Sequence, residues 1–144
     1  MFVKQISVFI ENRRGRLAEF TKVLGDAGID LIALSVADTT DFGILRTIVT
    51  DTDRAINLLR EAGYTVSITD VLAVSVPDTP GGLAQVIAHL SEGSISIEYL
   101  YSFVRNVDGQ AIVIFRVDKL VPTYELLKSK GVTLLDQAQV RNLQ

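Results

Sequence analysis

One segment of this chain occurs twice. Ile6-Ser-Val-Phe-Ile-Glu-Asn-Arg-Arg-Gly-Arg-Leu17 returns as Leu72-Ala-Val-Ser-Val-Pro-Asp-Thr-Pro-Gly-Gly-Leu83, an offset of about 66 residues. Each copy is followed by a helical pattern, a Gly or Ser break and an apolar run. A unit of that length exceeds the usual solenoid repeat and suffices for a small α+β domain. The expected architecture is therefore two similar modules, each with a glycine-marked turn at the same place.

The chain has 144 residues, of which 48% are hydrophobic and 22% charged. That supplies ample core and carries no signature of bulk disorder. Modules of about 70 residues lie at the lower edge of independent stability, so burial between modules or between chains should assist them. The formal charge of -3 argues against a polyanion binder, whose affinity would rest on many phosphate contacts, and no nucleic-acid partner is expected. With no cysteine there are no disulfides, thiolate nucleophiles or thiolate metal sites, and the single His89 cannot build a multi-histidine centre in one chain. No cofactor is expected. No apolar run reaches membrane-spanning length and no signal peptide is evident, so no membrane association and a cytoplasmic location are expected.

Periodicity places the elements. Residues 2–10 alternate as a strand, with Ile6, Val8 and Ile10 on one face and Gln5, Ser7 and Phe9 on the other. Leu17, Phe20, Leu24 and Ala27 recur at helical spacing, and Gly28 closes that helix. Residues 29–37 read as a strand, Asp38-Thr-Thr-Asp41 as a turn, and 42–49 as a third strand. Asp51 or Thr52 can cap a helix through Ala55, Ile56, Leu59 and Ala62, after which Gly63 stops it and residues 64–68 form a fourth strand. The second copy repeats the order: a strand at 71–76, a helix at 83–90, a strand at 95–102, the turn Asn106-Val-Asp-Gly109, a strand at 111–117, a helix around 122–128 and a last strand from 132 to 135. Domains at 1–69 and 70–144 follow, with only Thr69 and Asp70 between them. Each β-α-β-β-α-β set predicts a four-stranded antiparallel sheet with both helices on one face and its first and third strands central. The open sheet faces and edges need cover, from the sister module or a second chain.

The chemistry concentrates in two turns, Asn12-Arg-Arg-Gly15-Arg16-Leu17 and Asp78-Thr79-Pro80-Gly81-Gly82-Leu83, each joining a module's first strand to its first helix. Glycine permits a positive φ or close backbone approach. Amides of the helix's first turn can then receive a carboxylate, while the Asn12 or Asp78 oxygen suits an ammonium group. Those are the two ends of an α-amino acid. The structural alternative stays open, because Asn and Asp cap helices and form Asx turns without any ligand.

The repeated topology, with Asp78-Thr-Pro-Gly81-Gly82-Leu83 between strand and helix, resembles the ACT domain, a regulatory amino-acid-binding module. Asn12-Arg-Arg-Gly15-Arg16-Leu17 is similar, with Arg14 where that motif usually has proline. The resemblance spans almost the whole chain as a tandem pair of ferredoxin-like modules. It implies a non-catalytic regulatory protein binding a free amino acid beside these turns, at domain or subunit interfaces. Asn12, Arg14, Gly15, Arg16 and Leu17 would serve the first site, and Asp78, Thr79, Pro80, Gly81, Gly82 and Leu83 the second. It also implies contributions from a partner module's second strand, Ile32, Ala33 and Leu34 or Leu100, Tyr101 and Ser102. Arg14 alters the charge met by a ligand at the first turn, Glu11 partly offsets it, and Gly82 permits closer approach than Arg16.

Other residues read as structural. His89 lies within its helix to the side of the Leu83/Val86/Leu90 stripe, as a boundary or surface residue. Asp51 and Asp53 lie at a helix start, and Tyr99, Tyr101 and Phe103 alternate on one strand face, as expected for packing. Two further functions compete with amino-acid sensing. One is an interaction or oligomerisation module with purely structural turns. The other is an acylphosphatase-like enzyme using the Arg13, Arg14 and Arg16 cluster, which the second copy lacks. A homodimer and a regulated protein partner complete the expected associations.

Overall fold

The computed structural model describes residues 1–38, 41–104 and 107–143. The chain divides into two compact units, Lys4–Thr69 and Asp70–Gln144 together with Met1–Val3.

The first unit contains β1 (Val3–Glu11), α1 (Arg16–Asp26), β2 (Leu31–Asp38), β3 (Phe42–Val49), α2 (Thr52–Glu61) and the start of β4 (Thr65–Pro77). Its strands lie in the order β2-β3-β1-β4. β1 and β3 pair antiparallel with Ile6 opposite Thr47 and Ile10 opposite Gly43. The alternation in β1 turns Ile6, Val8 and Ile10 toward Phe20 and Leu24 of α1 and Ala55, Ile56 and Leu59 of α2. Burial of side chains of this size contributes about 1.5–3 kcal/mol each against leaving them in water. On the other face Gln5 is also buried, whereas Phe9 is exposed. Asp51 caps α2, its carboxylate accepting from the Arg54 amide at 3.3 Å.

The second unit reproduces the arrangement with the rest of β4, α3 (Gly82–Glu92), β5 (Ile97–Ser102), β6 (Gln110–Val117), α4 (Leu120–Ser129), β7 (Thr133–Leu135) and α5 (Gln137–Arg141). The order is β7-β4-β6-β5, all pairs antiparallel. Leu72, Val74 and Val76 pack with Val86, Leu90, Phe115 and Leu127. Two α+β modules with antiparallel sheets and helices on one face are thus present, with the first and third strands central in each.

Several sequence expectations change. No break separates the fourth strand of one module from the first of the next: β4 runs through Thr69 and Asp70 as a single strand of 13 residues. The segment from Thr65 to Val76 contains neither Gly nor Pro, so nothing interrupts its extended backbone. Arg116 further holds Asp70, its Nη1 donating to that carbonyl at 2.8 Å. Helix α5 was not anticipated. Its signal was a capping box, in which the Asp136 carboxylate accepts from the Gln139 amide while the Gln139 side chain accepts from the Asp136 amide, both at 2.8 Å. Leu17, placed on the core stripe of its helix, is exposed, as is Leu83.

The β5–β6 connection closes at Asp108 and Gly109, which have φ of 50° and 73°. Mutual backbone bonds between Val107 and Gln110 complete the two-residue hairpin that an Asp-Gly pair favours. Asn106 of that expected turn, and Thr39 and Thr40 of the Asp38–Asp41 turn, lie outside the described residues. Tyr101 and Phe103 are buried, and Tyr99 stacks on Tyr101 with centroids 6.5 Å apart, which is packing rather than a base-stacking platform.

Candidate functional site

Each glycine turn is a four-residue bend leading directly into a helix. The Arg16 amide donates to the Arg13 carbonyl at 3.3 Å, and the Gly82 amide to the Thr79 carbonyl at 3.0 Å. Gly15 and Gly81 stand third in these bends at φ 90°, ψ -14° and φ 88°, ψ -9°. Those angles and bonds define a type II turn, which demands a left-handed third residue and favours proline second without requiring it. Pro80 and Arg14 therefore occupy interchangeable positions. The proline-to-arginine departure changes charge while keeping the backbone.

The same glycines are the N-cap residues of α3 and α1, and neither helix has a side-chain cap. Asn12 and Asp78 are thus not helix caps. Glu19 and Gln85 donate their amides to Gly15 and Gly81. Between these bonds, the amides of Leu17 and Ala18, and of Leu83 and Ala84, have no backbone acceptor among the described residues. Each helix start consequently presents adjacent amides and the positive end of its dipole.

Asn12 and Asp78 are held in equivalent ways. The Asn12 amide donates to the Asp41 carbonyl at 3.0 Å, and the Asp78 amide to the Gly109 carbonyl at 3.1 Å. Each turn is thereby tied to the neighbouring hairpin of its own unit.

The two glycines at Gly81 and Gly82 have different reasons. The space around Gly81 is open, so its φ alone requires glycine. Gly82 is buried at an ordinary φ, and a Cβ there would collide with the Pro77 carbonyl oxygen. Close approach of strand end to helix start is what requires glycine here.

Arg16 turns away from the bend. Its Nη1 lies 2.9 Å from Glu19, its Nη2 4.0 Å from Glu11, and its guanidinium carbon 4.6 Å from the Tyr64 ring centroid. The hydrogen bond to Glu19 raises its pKa further above the usual arginine value, aided by the negative charges around it. Arg13 pairs with Glu11 at 3.3 Å. Arg14 is exposed and forms no ion pair among the described residues.

A recess of about 260 Å³ adjoins the first turn, lined by Ile10, Glu11, Asn12, Arg13, Leu17, Val36 and Gly43. It brings together Asn12 and Leu17 from the expected set; Arg14, Gly15 and Arg16 do not line it. Val36 contributes from β2, whereas Ile32 and Ala33 are buried. In the second unit, a recess of about 310 Å³ includes Gly82 but not Asp78, Thr79, Pro80, Gly81 or Leu83. Among the described residues no cluster of three or more His, Asp or Glu side chains could hold a metal, and no helix is long and apolar enough to cross a membrane.

Residues 1–143 match the family model of the ACT domain pair. The chain belongs to the ACT domain pair family. This family comprises non-catalytic regulatory modules, so the acylphosphatase-like reading falls away. The ACT pair is similar to protein BT0572 from Bacteroides thetaiotaomicron, with 43% identity and a TM-score of 0.92 over 99% of this chain and 98% of that one. It also resembles the regulatory subunit of aspartate kinase from Thermus flavus, at 16% identity and a TM-score of 0.59 over 89% and 92% of the two chains. The ligand-free regulatory subunit from Thermus thermophilus gives 15% identity and the same TM-score over 88% and 91%. At such identities the Thermus structures show the shared fold alone. No curated protein matches the chain.

Proposed function

We propose that this ACT pair is a regulatory module that binds a free amino acid at the glycine turns. The observation that carries the reading is the recurrence of one backbone device: a left-handed glycine, two amides without backbone acceptors among the described residues, and an Asn or Asp anchored four residues before the helix. A carboxylate at Leu17 and Ala18, or at Leu83 and Ala84, would complete the amides, with the ammonium directed to Asn12 or Asp78. Aspartate kinase from Thermus flavus uses this fold in its regulatory subunit, which supports regulation as the output.

The two sites are unequal in this reading. Arg14 adds a cation without an ion pair among the described residues at the first turn, whereas Pro80 leaves the second turn uncharged at that position. The first would favour a ligand with additional negative charge. A homodimer supplies the remaining pocket wall from a second chain, and a separate regulated protein receives the signal. Isothermal calorimetry with the common amino acids tests the binding: saturable heat with one of them supports it, and no binding by folded protein removes it.

A further inference from the structure

The two units share a notch between the first helix and the segment entering the last strand, but they line it differently: paired acids and cations in the first, a lysine without acids among the described residues in the second. In the first unit Arg16 lies there over Tyr64, paired to Glu19, with Asp26 also in the wall. The internal repeat sets Gly82 at the position of Arg16, Gln85 at that of Glu19, His89 at that of Val23, and Lys130 at that of Ala62. The second notch therefore lacks the built-in cation, the acid that receives it and the aromatic beneath it, since Val132 replaces Tyr64.

What remains is a recess of about 310 Å³ whose polar lining includes Ser75, Gln85, His89, Gln110 and Lys130. No aspartate or glutamate lines it among the described residues. Ser75 Oγ donates to Gln110 Oε1 at 3.3 Å, which leaves the Gln110 amide group as a donor. Gln85 adds a second amide group. The buried Nδ1 of His89 has no hydrogen-bond partner among the described residues. Lys130 supplies the positive charge, and the volume suits a small organic molecule.

We propose that this second-unit notch is a site for a small anion bearing carboxylate or phosphate oxygens. Lys130 compensates the charge, Gln85 and Gln110 donate to the oxygens, and Gly82 places no side chain where the first unit carries an arginine. This site is separate from the glycine-turn amides and does not depend on their occupancy.

The test is a titration of the ¹⁵N-labelled full chain at constant ionic strength, with succinate in one arm and inorganic phosphate in the other. Neither probe has an ammonium group, so the result stands apart from amino-acid binding at the turns. Saturable shifts of the Gln85, His89 and Gly131 amides are expected in at least one arm, and the more effective arm identifies the oxyanion. Lys130→Glu should weaken binding by at least about five-fold. Gln85→Glu, on an exposed helix position, should do the same and serves if the first variant folds poorly. Shifts that fail to saturate, centre on Arg13, Arg14 and Arg16, or survive unchanged in the folded variants would overturn the assignment.

Discussion

The backbone amide of Asp78 donates to the carbonyl of Gly109 across 3.1 Å, joining a helix-leading turn to the tip of a hairpin. Asn12 and Asp41 repeat the bond at 3.0 Å in the other unit. The proposed ammonium acceptor is thus fixed through its own main chain, while the glycine that follows sets the direction of the helix. Positioning precedes any ligand, which lowers the ordering cost of binding.

Gly81 and Gly82 should respond differently to the same substitution. Gly81→Ala meets no neighbour but must adopt a left-handed φ, at about 1–2 kcal/mol. Gly82→Ala drives a Cβ against the Pro77 carbonyl, and backbone cannot yield as a side-chain tip can. It should cost more, about 3 kcal/mol. Urea denaturation of both variants measures the difference; a milder effect at Gly82 would contradict the close-approach account.

Arg14→Pro should stabilise the first unit. Pro80 already occupies the corresponding turn position, and the Arg14 amide makes no backbone bond among the described residues. Restricting the unfolded chain at a compatible site typically contributes about 0.4–1 kcal/mol. A lower denaturation midpoint would show that the two turns differ in backbone despite their matching glycine angles.

Arg16→Ala should destabilise by about 1 kcal/mol, combining the exposed Glu19 pair with the contact over Tyr64. Glu19→Ala should cost about half as much, and Arg16→Lys should not fully restore stability because a planar guanidinium stacks where an ammonium does not. Folding raises the Arg16 pKa, so its stabilisation is fully present below the ordinary arginine range and is lost only as pH rises beyond it. The Arg16→Ala difference should therefore stay level from about pH 6 to 9. A steep change within that interval would assign the effect to another group.

Much of this fold was legible because alternation and helical spacing were repeated at nearly constant offset. Ile6, Val8 and Ile10 showed their buried face directly, and Asp51 announced its helix. The failures have local causes. The compact units do divide between Thr69 and Asp70, but without Gly or Pro the strand continues through them. Leu17 fits a helical stripe, yet at the first turn of α1 it is exposed and lines the recess beside Ile10 and Val36 instead of joining the core. At the turns, sequence located the device but not two of its packing contacts. A Cβ on Gly82 would meet the strand-end Pro77 carbonyl, and Arg16 points to Tyr64, a partner separated too far in sequence for local spacing to reveal.

Amino-acid binding at the paired glycine turns is the property on which the proposed function rests. Calorimetric titration of the full chain with each common amino acid tests it most directly, alongside Gly81→Leu and Asp78→Ala variants checked for native folding. The account predicts saturable binding by at least one amino acid and its loss, or weakening by at least about ten-fold, in a folded variant. Absence of binding across the set, or unchanged affinity in both folded variants and in the matching Gly15→Leu and Asn12→Ala pair, would contradict it.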